Sequence, residues 1–309
     1  MPGFDNGEDG GWAQLLLCYG ERESTRKAVP DLSLPADGGH KGVFVQPEDE
    51  SMNRNGIGLA VLTLWAVMSQ PIAADTLTIA AAADLKYAMD EIVALFLKGH
   101  PGHKIDVVYG SSGKTHAQIQ QGAPYDLFFS ADISLPQALV AKGLATGRVH
   151  PYAVGRLVLW SATQDASRLR LSDLAGMSVR KIAIANPKHA PYGQKAEEAL
   201  RKVGVWSSVE SKIVYGENIA QTAQFAFTGA ADVGIVALSL ALSPEMAAKG
   251  KYSLVPDSLH KPLEQGFVVT NRAKDKKLAA AFSDWMAEKT VRATMTKFGF
   301  ALPNEAAGK

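Results

Sequence analysis

The residues best suited to chemistry lie in four short turns, each joining an apolar strand-like run to a helical pattern. The richest is Tyr109-Gly110-Ser111-Ser112-Gly113-Lys114-Thr115. Its small residues let the backbone approach a ligand closely. The N–H groups of a helix's first turn and the serine hydroxyls all donate to an anion. A nucleotide P-loop needs a glycine at position 108, where Val108 stands, so nucleotide binding is not expected. The second turn runs from Ala80 to Leu85, with Asp84 placed to cap the helix that follows. The third is Asn186-Pro187-Lys188-His189-Ala190-Pro191-Tyr192-Gly193, and the fourth Tyr215-Gly216-Glu217-Asn218-Ile219. Any one of these reads equally well as a plain helix start. The set of four is expected to converge on one small anion.

Catalytic constellations are poor by comparison. The chain has neither a Gly-x-Ser-x-Gly elbow nor a His-Glu-x-x-His pair. His189 sits in a loop and reads as structural or exposed, Asp126 as ordering a turn, and Phe128 and Phe129 as core. A secreted hydrolase using Ser111 or Ser112 stays open as a rival, without a recognisable base. No catalytic residue is assigned.

Strand and helix signals alternate behind these turns. Strands are expected at 77–81, 105–109, 126–130, 156–161, 181–185, 212–214, 233–236 and 266–270. Helices are expected at 85–97, 115–121, 134–141, 193–203, 219–228 and 276–288. Gly143, Gly204 and Gly229 are placed to end three of the helices. Such alternation implies an α/β architecture with parallel sheets. Two βα blocks around Arg156–Trp160 and Gly266–Thr270 suggest two lobes and two crossings, with a ligand cleft at the strand ends.

The first 74 residues differ from the rest. Residues 1–51 hold ten acidic and four basic residues and little hydrophobic period, and are read as disordered or as an upstream mis-start. From Met52 the pattern is that of a secretory signal peptide: Asn53-Arg54-Asn55, an uncharged apolar run from Gly56 to Met68, then Ser69-Gln70-Pro71-Ile72-Ala73-Ala74. The apolar run is shorter than the ~20 residues a membrane-spanning helix needs. The single cysteine, Cys18, lies upstream of this leader, so the exported part would be cysteine-free. Across all 309 residues the net charge is +1, which argues against a nucleic-acid partner. Residues 75–309 alone carry about +6, a mild bias toward anions.

Five segments carry a family resemblance: Ala80–Leu85, Gly110–Gly113, Gly122-Ala123-Pro124-Tyr125-Asp126-Leu127-Phe128-Phe129-Ser130-Ala131-Asp132, Ala190–Gly193 and Val233–Val236. They resemble the periplasmic molybdate-binding proteins of molybdate ABC importers, from about Leu77 to Pro303. The resemblance implies a two-lobed type II periplasmic binding fold with a two-stranded hinge and the ligand cleft between lobes. Lobe 1 would comprise 75–157 and 264–309, and lobe 2 158–263. It implies capture of molybdate or tungstate by hydrogen bonds, without a cofactor, a directly coordinated metal or enzymatic activity. Delivery to a membrane permease follows, by what is expected to be a periplasmic monomer. The same fold serving another anion or an organic acid is the alternative. By position, Asp84, Ser112, Tyr192 and Ile219 would contact the ligand, with Ser111 and Asn218 assisting. Ser112 would use hydroxyl and N–H; Tyr192 and Ile219 would use N–H.

Two positions depart from the common family pattern: Asp84 replaces a serine, and Ala237 stands where some members have a tyrosine. The Tyr192 phenol is expected to make good the missing one. An ionised Asp84 ~5 Å from a dianion would repel it by roughly 6–7 kcal/mol at an effective dielectric of ~20. Its side chain is therefore expected to turn back and cap its helix; the alternative is a protonated carboxyl that donates one hydrogen bond.

Overall fold

The computed structural model describes residues 75–303. The stretch 1–51, the leader expected at 52–74 and the last six residues lie outside the described residues.

Two five-stranded sheets organise this region. The first is built from β1 (Thr76–Ala82), β2 (Lys104–Gly110), β3 (Leu127–Ser130), β4 (Ala145–Gly155) and β10 (Leu263–Thr270), in the order β2-β1-β3-β10-β4. The second is built from β5 (Leu157–Ser161), β6 (Ile182–Ala185), β7 (Ile213–Gly216), β8 (Val233–Ala237) and β9 (Lys251–Leu254), in the order β7-β6-β8-β5-β9. Helices cover both faces of the first sheet. Alternation along the strands sorts the side chains between them. Leu77, Ile79, Leu127 and Phe129 pack with Met89, Ile92, Phe96 and Phe282 on one side. Ala80, Phe128 and Val268 pack with Ile119 and Leu139 on the other. A strand buried on both faces reads as a near-continuous apolar run, which is why β1 and β8 stand out in the sequence.

The sheets are mixed, which corrects the expectation of purely parallel ones. β1 pairs parallel with β2 and β3, and β6 with β7 and β8. β10 runs antiparallel to β3 and β4, and β5 antiparallel to β8 and β9. The cause is the path of the chain. It leaves the first sheet at Gly155, enters the second at Leu157, and returns through 255–262 into β10. A strand arriving from the other lobe enters its sheet from the opposite end. Where the crossings meet, Leu263, Glu264 and Gln265 pair with Gly155, Val154 and Ala153, a two-stranded link between lobes.

The long strand β4 was not anticipated. Its sequence, with Gly147 and Pro151, lacks alternation, and its pairing with β10 is irregular on either side of Gly266. It is a strand because β10 offers it a ladder, a partner more than a hundred residues away. The helices that matter for the cleft are α1 (Lys86–Gly99), α2 (Ser112–Gln120), α3 (Ser134–Ala141), α4 (Pro191–Lys202), α5 (Trp206–Val209) and α6 (Ile219–Thr228). The last ends at Gly229, whose φ of +78° suits the left-handed turn that closes a helix.

Candidate functional site

The four turns leave the C-terminal ends of β1, β2, β6 and β7, two in each lobe. In an open α/β sheet this is the edge where ligands lie. Here the two edges face each other across the link. Between them is a cavity of about 10 Å³, walled by Ala83, Asp84, Ser111 and Ser112 from one lobe and Pro191, Tyr192 and Ile219 from the other. That is space on the order of one water-sized sphere.

Donors at this point follow from helix geometry. Ser112, Tyr192 and Ile219 lie in the first turns of α2, α4 and α6. Their N–H groups therefore have no carbonyl within the helix to bond, and the three positive helix ends favour negative charge. The Ser112 hydroxyl accepts from the Ala131 N–H at 3.0 Å, which leaves its own proton to donate. Tyr192 and Ile219 are buried against the cavity, as are both serines.

Asp84 does not cap its helix. No side-chain capping bond is made at the start of α1 or of the short 3-10 turn Ala83–Leu85 before it. The carboxylate turns into the protein instead. Its Oδ2 accepts from the Tyr192 hydroxyl at 2.9 Å and from Gln265 Nε2 at 2.7 Å. Gln265 Oε1 in turn accepts from the Tyr152 hydroxyl at 2.7 Å. The expectation failed because a carboxylate in a first turn has two choices. Here Tyr192 and Gln265, brought in from distant parts of the chain, outcompete the local N–H groups. Asp84 Oδ1 is buried and has no partner among the described residues. Burial pushes the carboxyl up to about 6, against the opposing pull of Gln265, Tyr192 and the backbone N–H groups of Asp84 and Leu85. Tyr192 and Tyr152 are pushed well above the usual phenol value, first by burial and then by the nearby Asp84 charge.

The same bond corrects the expectation for Tyr192. Its phenolic hydrogen is spent on Asp84 and is not offered to the cavity, so it does not stand in for a tyrosine at 237. Ala237 is buried at the end of β8 and is not among the residues walling the cavity. Asn218 is also absent from the wall. Its Oδ1 accepts from the Ala220 and Gln221 N–H groups, capping α6 and aiming the Ile219 N–H.

Further bonds clasp the lobes. The Ser239 hydroxyl donates to the Asp84 carbonyl at 2.8 Å, and the Gly113 N–H to the His189 carbonyl at 2.9 Å. Glycine is required at 113, since a Cβ would lie 2.5 Å from the His189 oxygen. Lys114 forms an ion pair with Glu217. Ser111, His189 and Glu217 superficially resemble a hydrolytic triad. The Ser111 hydroxyl, however, donates to the His189 carbonyl at 2.5 Å. The ring Nδ1 at 2.9 Å is then the donor to that oxygen and cannot act as its base. Glu217 is 3.9 Å from Nε2 and solvent-exposed. Asp126 is structural too: it accepts from the Thr78 N–H and from Lys276. Sequence reasoning missed Gln265, Tyr152 and Ser239. Nothing around them signals a site, because each owes its place to the meeting of the lobes.

Fold and site together define a class: a two-lobed α/β protein with a small cavity between the lobes, walled by helix N-termini and serine hydroxyls. Comparison with known proteins agrees. The profile of the bacterial extracellular solute-binding proteins matches residues 77–301. The molybdate-binding protein ModA of Rhodobacter capsulatus is 37% identical over 248 residues, spanning 79% of this chain and 95% of the relative. ModA of Azotobacter vinelandii is 36% identical over 225 residues, 72% and 89% of the two chains. The solved structure of the Azotobacter vinelandii periplasmic molybdate-binding protein superposes with a TM-score of 0.68 at 34% identity, covering 74% of this chain and 99% of that one. A sulfate-binding protein of Mycobacterium tuberculosis, 16% identical with a TM-score of 0.64, covers 75% of this chain and 89% of its own and shares the fold. The chain belongs to the bacterial extracellular solute-binding proteins, in the family of the ModA molybdate-binding proteins. That is a family of transport proteins, not of enzymes.

Proposed function

We propose that the protein captures molybdate, or the nearly identical tungstate, outside the cytoplasm and hands it to the permease of an ABC importer. The observation that carries the reading is the convergence of three helix N-termini, from both lobes, on one small cavity between them. The names of the family relatives supply the identity of the anion. Ser112 donates through hydroxyl and N–H, and Tyr192 and Ile219 through N–H. Ser111 and Asn218 hold the closed form and the helix start rather than the anion. The ligand is bound by hydrogen bonds, with neither a resident cofactor nor a metal coordinated by side chains. Lobe 1 comprises 75–157 and 264–309 and lobe 2 158–263. The protein works as a monomer in the periplasm, exported by the leader at 52–74.

Isothermal titration of the purified protein with molybdate, tungstate, sulfate and phosphate at pH 7.5 tests this. Tight one-to-one binding of the first two, with the last two silent, is expected. Silence toward both metal oxyanions would sink the reading.

A further inference from the structure

Asp84 is the one element of the cavity wall that does not suit an anion. It brings a carboxyl to a wall that holds no other acid side chain. Two geometric facts define what that carboxyl can do. Its Oδ2 is saturated by donors from two other elements, Tyr192 of α4 and Gln265 of β10. Its Oδ1 is buried and lacks any partner among the described residues, and Asp84 walls the cavity. A buried carboxylate oxygen without a donor is costly, and more so beside a dianion. A proton on that oxygen removes both penalties and turns the position into a donor.

Resting on the molybdate reading, we propose that Asp84 binds the oxyanion as a carboxylic acid, donating from Oδ1, so that each anion captured takes up one proton from solvent. Gln265 and Tyr152 are positioning residues. Tyr152 orients the Gln265 amide, whose Nε2 holds Oδ2 as the acceptor and leaves Oδ1 as the seat of the proton.

The groups facing Asp84 leave it as the titrating one. Tyr192 and Tyr152, from α4 and β4, are held neutral by burial. Gln265 from β10 does not titrate, and Ser239, which follows β8, bonds the Asp84 backbone carbonyl. From the β2–α2 turn come Ser111 and Ser112, and His189, on the far side, is turned to Ser111 and Glu217. The direction of the burial effect on the Asp84 carboxyl agrees with a proton held in the closed form.

The test is titration of the purified full chain with sodium molybdate between pH 5.5 and 8.5, in paired buffers of different ionisation enthalpy. Close to one proton taken up per anion is expected at pH 7.5. The Kd should rise about tenfold per pH unit from pH 6.5 to 8, because the free protein has released the proton that the complex holds. Asp84→Asn, whose amide donates where the acid would, should bind without proton uptake and with a flat profile. Three results overturn the proposal: a wild type that takes up no proton and shows no slope; a folded Asp84→Asn chain that keeps the slope; or a folded Asp84→Asn chain that no longer binds. If the variant fails to fold, the wild-type proton count decides alone. No molybdate heat from either chain at any pH overturns instead the functional reading on which this rests.

Discussion

A single carboxyl couples chemistry to stability at this site. Burial raises Asp84 to about 6, above the value it has in an unfolded chain. Between about pH 4 and pH 6 the unfolded chain releases a proton that the closed protein keeps. Stability of the ligand-free closed form therefore falls as pH rises through that window and stays lower above it. A shift of about two pH units corresponds to about 3 kcal/mol. Asp84→Asn removes this penalty. Thermal melts should show the variant several degrees more stable than wild type at pH 7.5 and equal to it at pH 4. Ser112 is the complementary case. On the proposed binding mode, Ser112→Ala deletes a donor to the anion, and it strips the buried Ala131 N–H of its acceptor. A hydrogen bond to a charged group is worth about 1.5–3 kcal/mol, so titration should show Kd weakened by about 10- to 150-fold. An unchanged Kd would place the anion elsewhere.

At the scale of elements, the site is a set of helix starts aimed by their caps. Asn218 fixes the start of α6. Asn218→Ala should cost about 1 kcal/mol of stability, and Asn218→Ser or Asn218→Asp should recover most of it, as read by denaturant melts. Were Asn218 a direct ligand contact, the alanine variant would lose affinity with no loss of stability. Gly113 shows the same logic across the cleft. A methyl group there meets the His189 carbonyl, so Gly113→Ala should destabilise the closed form, weakening molybdate binding and lowering the melting temperature of the ligand-free protein. The turns and most elements were legible because local patterns encode them: β1, β8 and α6 come from apolar runs, an Asn cap and a terminal Gly. β4 was not legible, since its residues carry no alternation and its partner lies far along the chain. Nor was the helix Lys289–Lys297, whose polar residues hide a narrow apolar stripe of Val291 and Met295.

For the whole molecule, the proposed capture rests on the meeting of the two lobes. The two sheets are joined at Arg156 and through 255–262, and the contacts between their facing edges include Tyr192 with Asp84, Gly113 with His189 and Lys114 with Glu217. The last pair is half exposed and should contribute less than about 1 kcal/mol. Glu217→Gln should thus change affinity only a few-fold, with a smaller salt dependence than wild type. An anion that binds only the closed form stabilises it by mass action. At a molybdate concentration of 100 times Kd, stability should increase by about 2.7 kcal/mol. A calorimetric scan with and without the anion reads this directly.

The sequence by itself determined the α/β class, the two lobes, the four strand-to-helix turns and the family, because short-range spacing and small-residue motifs carry all of these. It also placed Ser112, Tyr192 and Ile219 at helix starts, where a free N–H follows from helix geometry alone. The tertiary structure decided what the side chains of Asp84, Tyr192 and Asn218 do. Asp84 has local N–H groups and a distant tyrosine and glutamine to choose between, and no local pattern ranks them. Only the closing of one lobe on the other sets Tyr192 and Gln265 at one oxygen of that carboxyl and leaves the second buried without a partner among the described residues. Burial then makes the choice costly to reverse, since a dry carboxylate gains more from two fixed donors than a solvated one would.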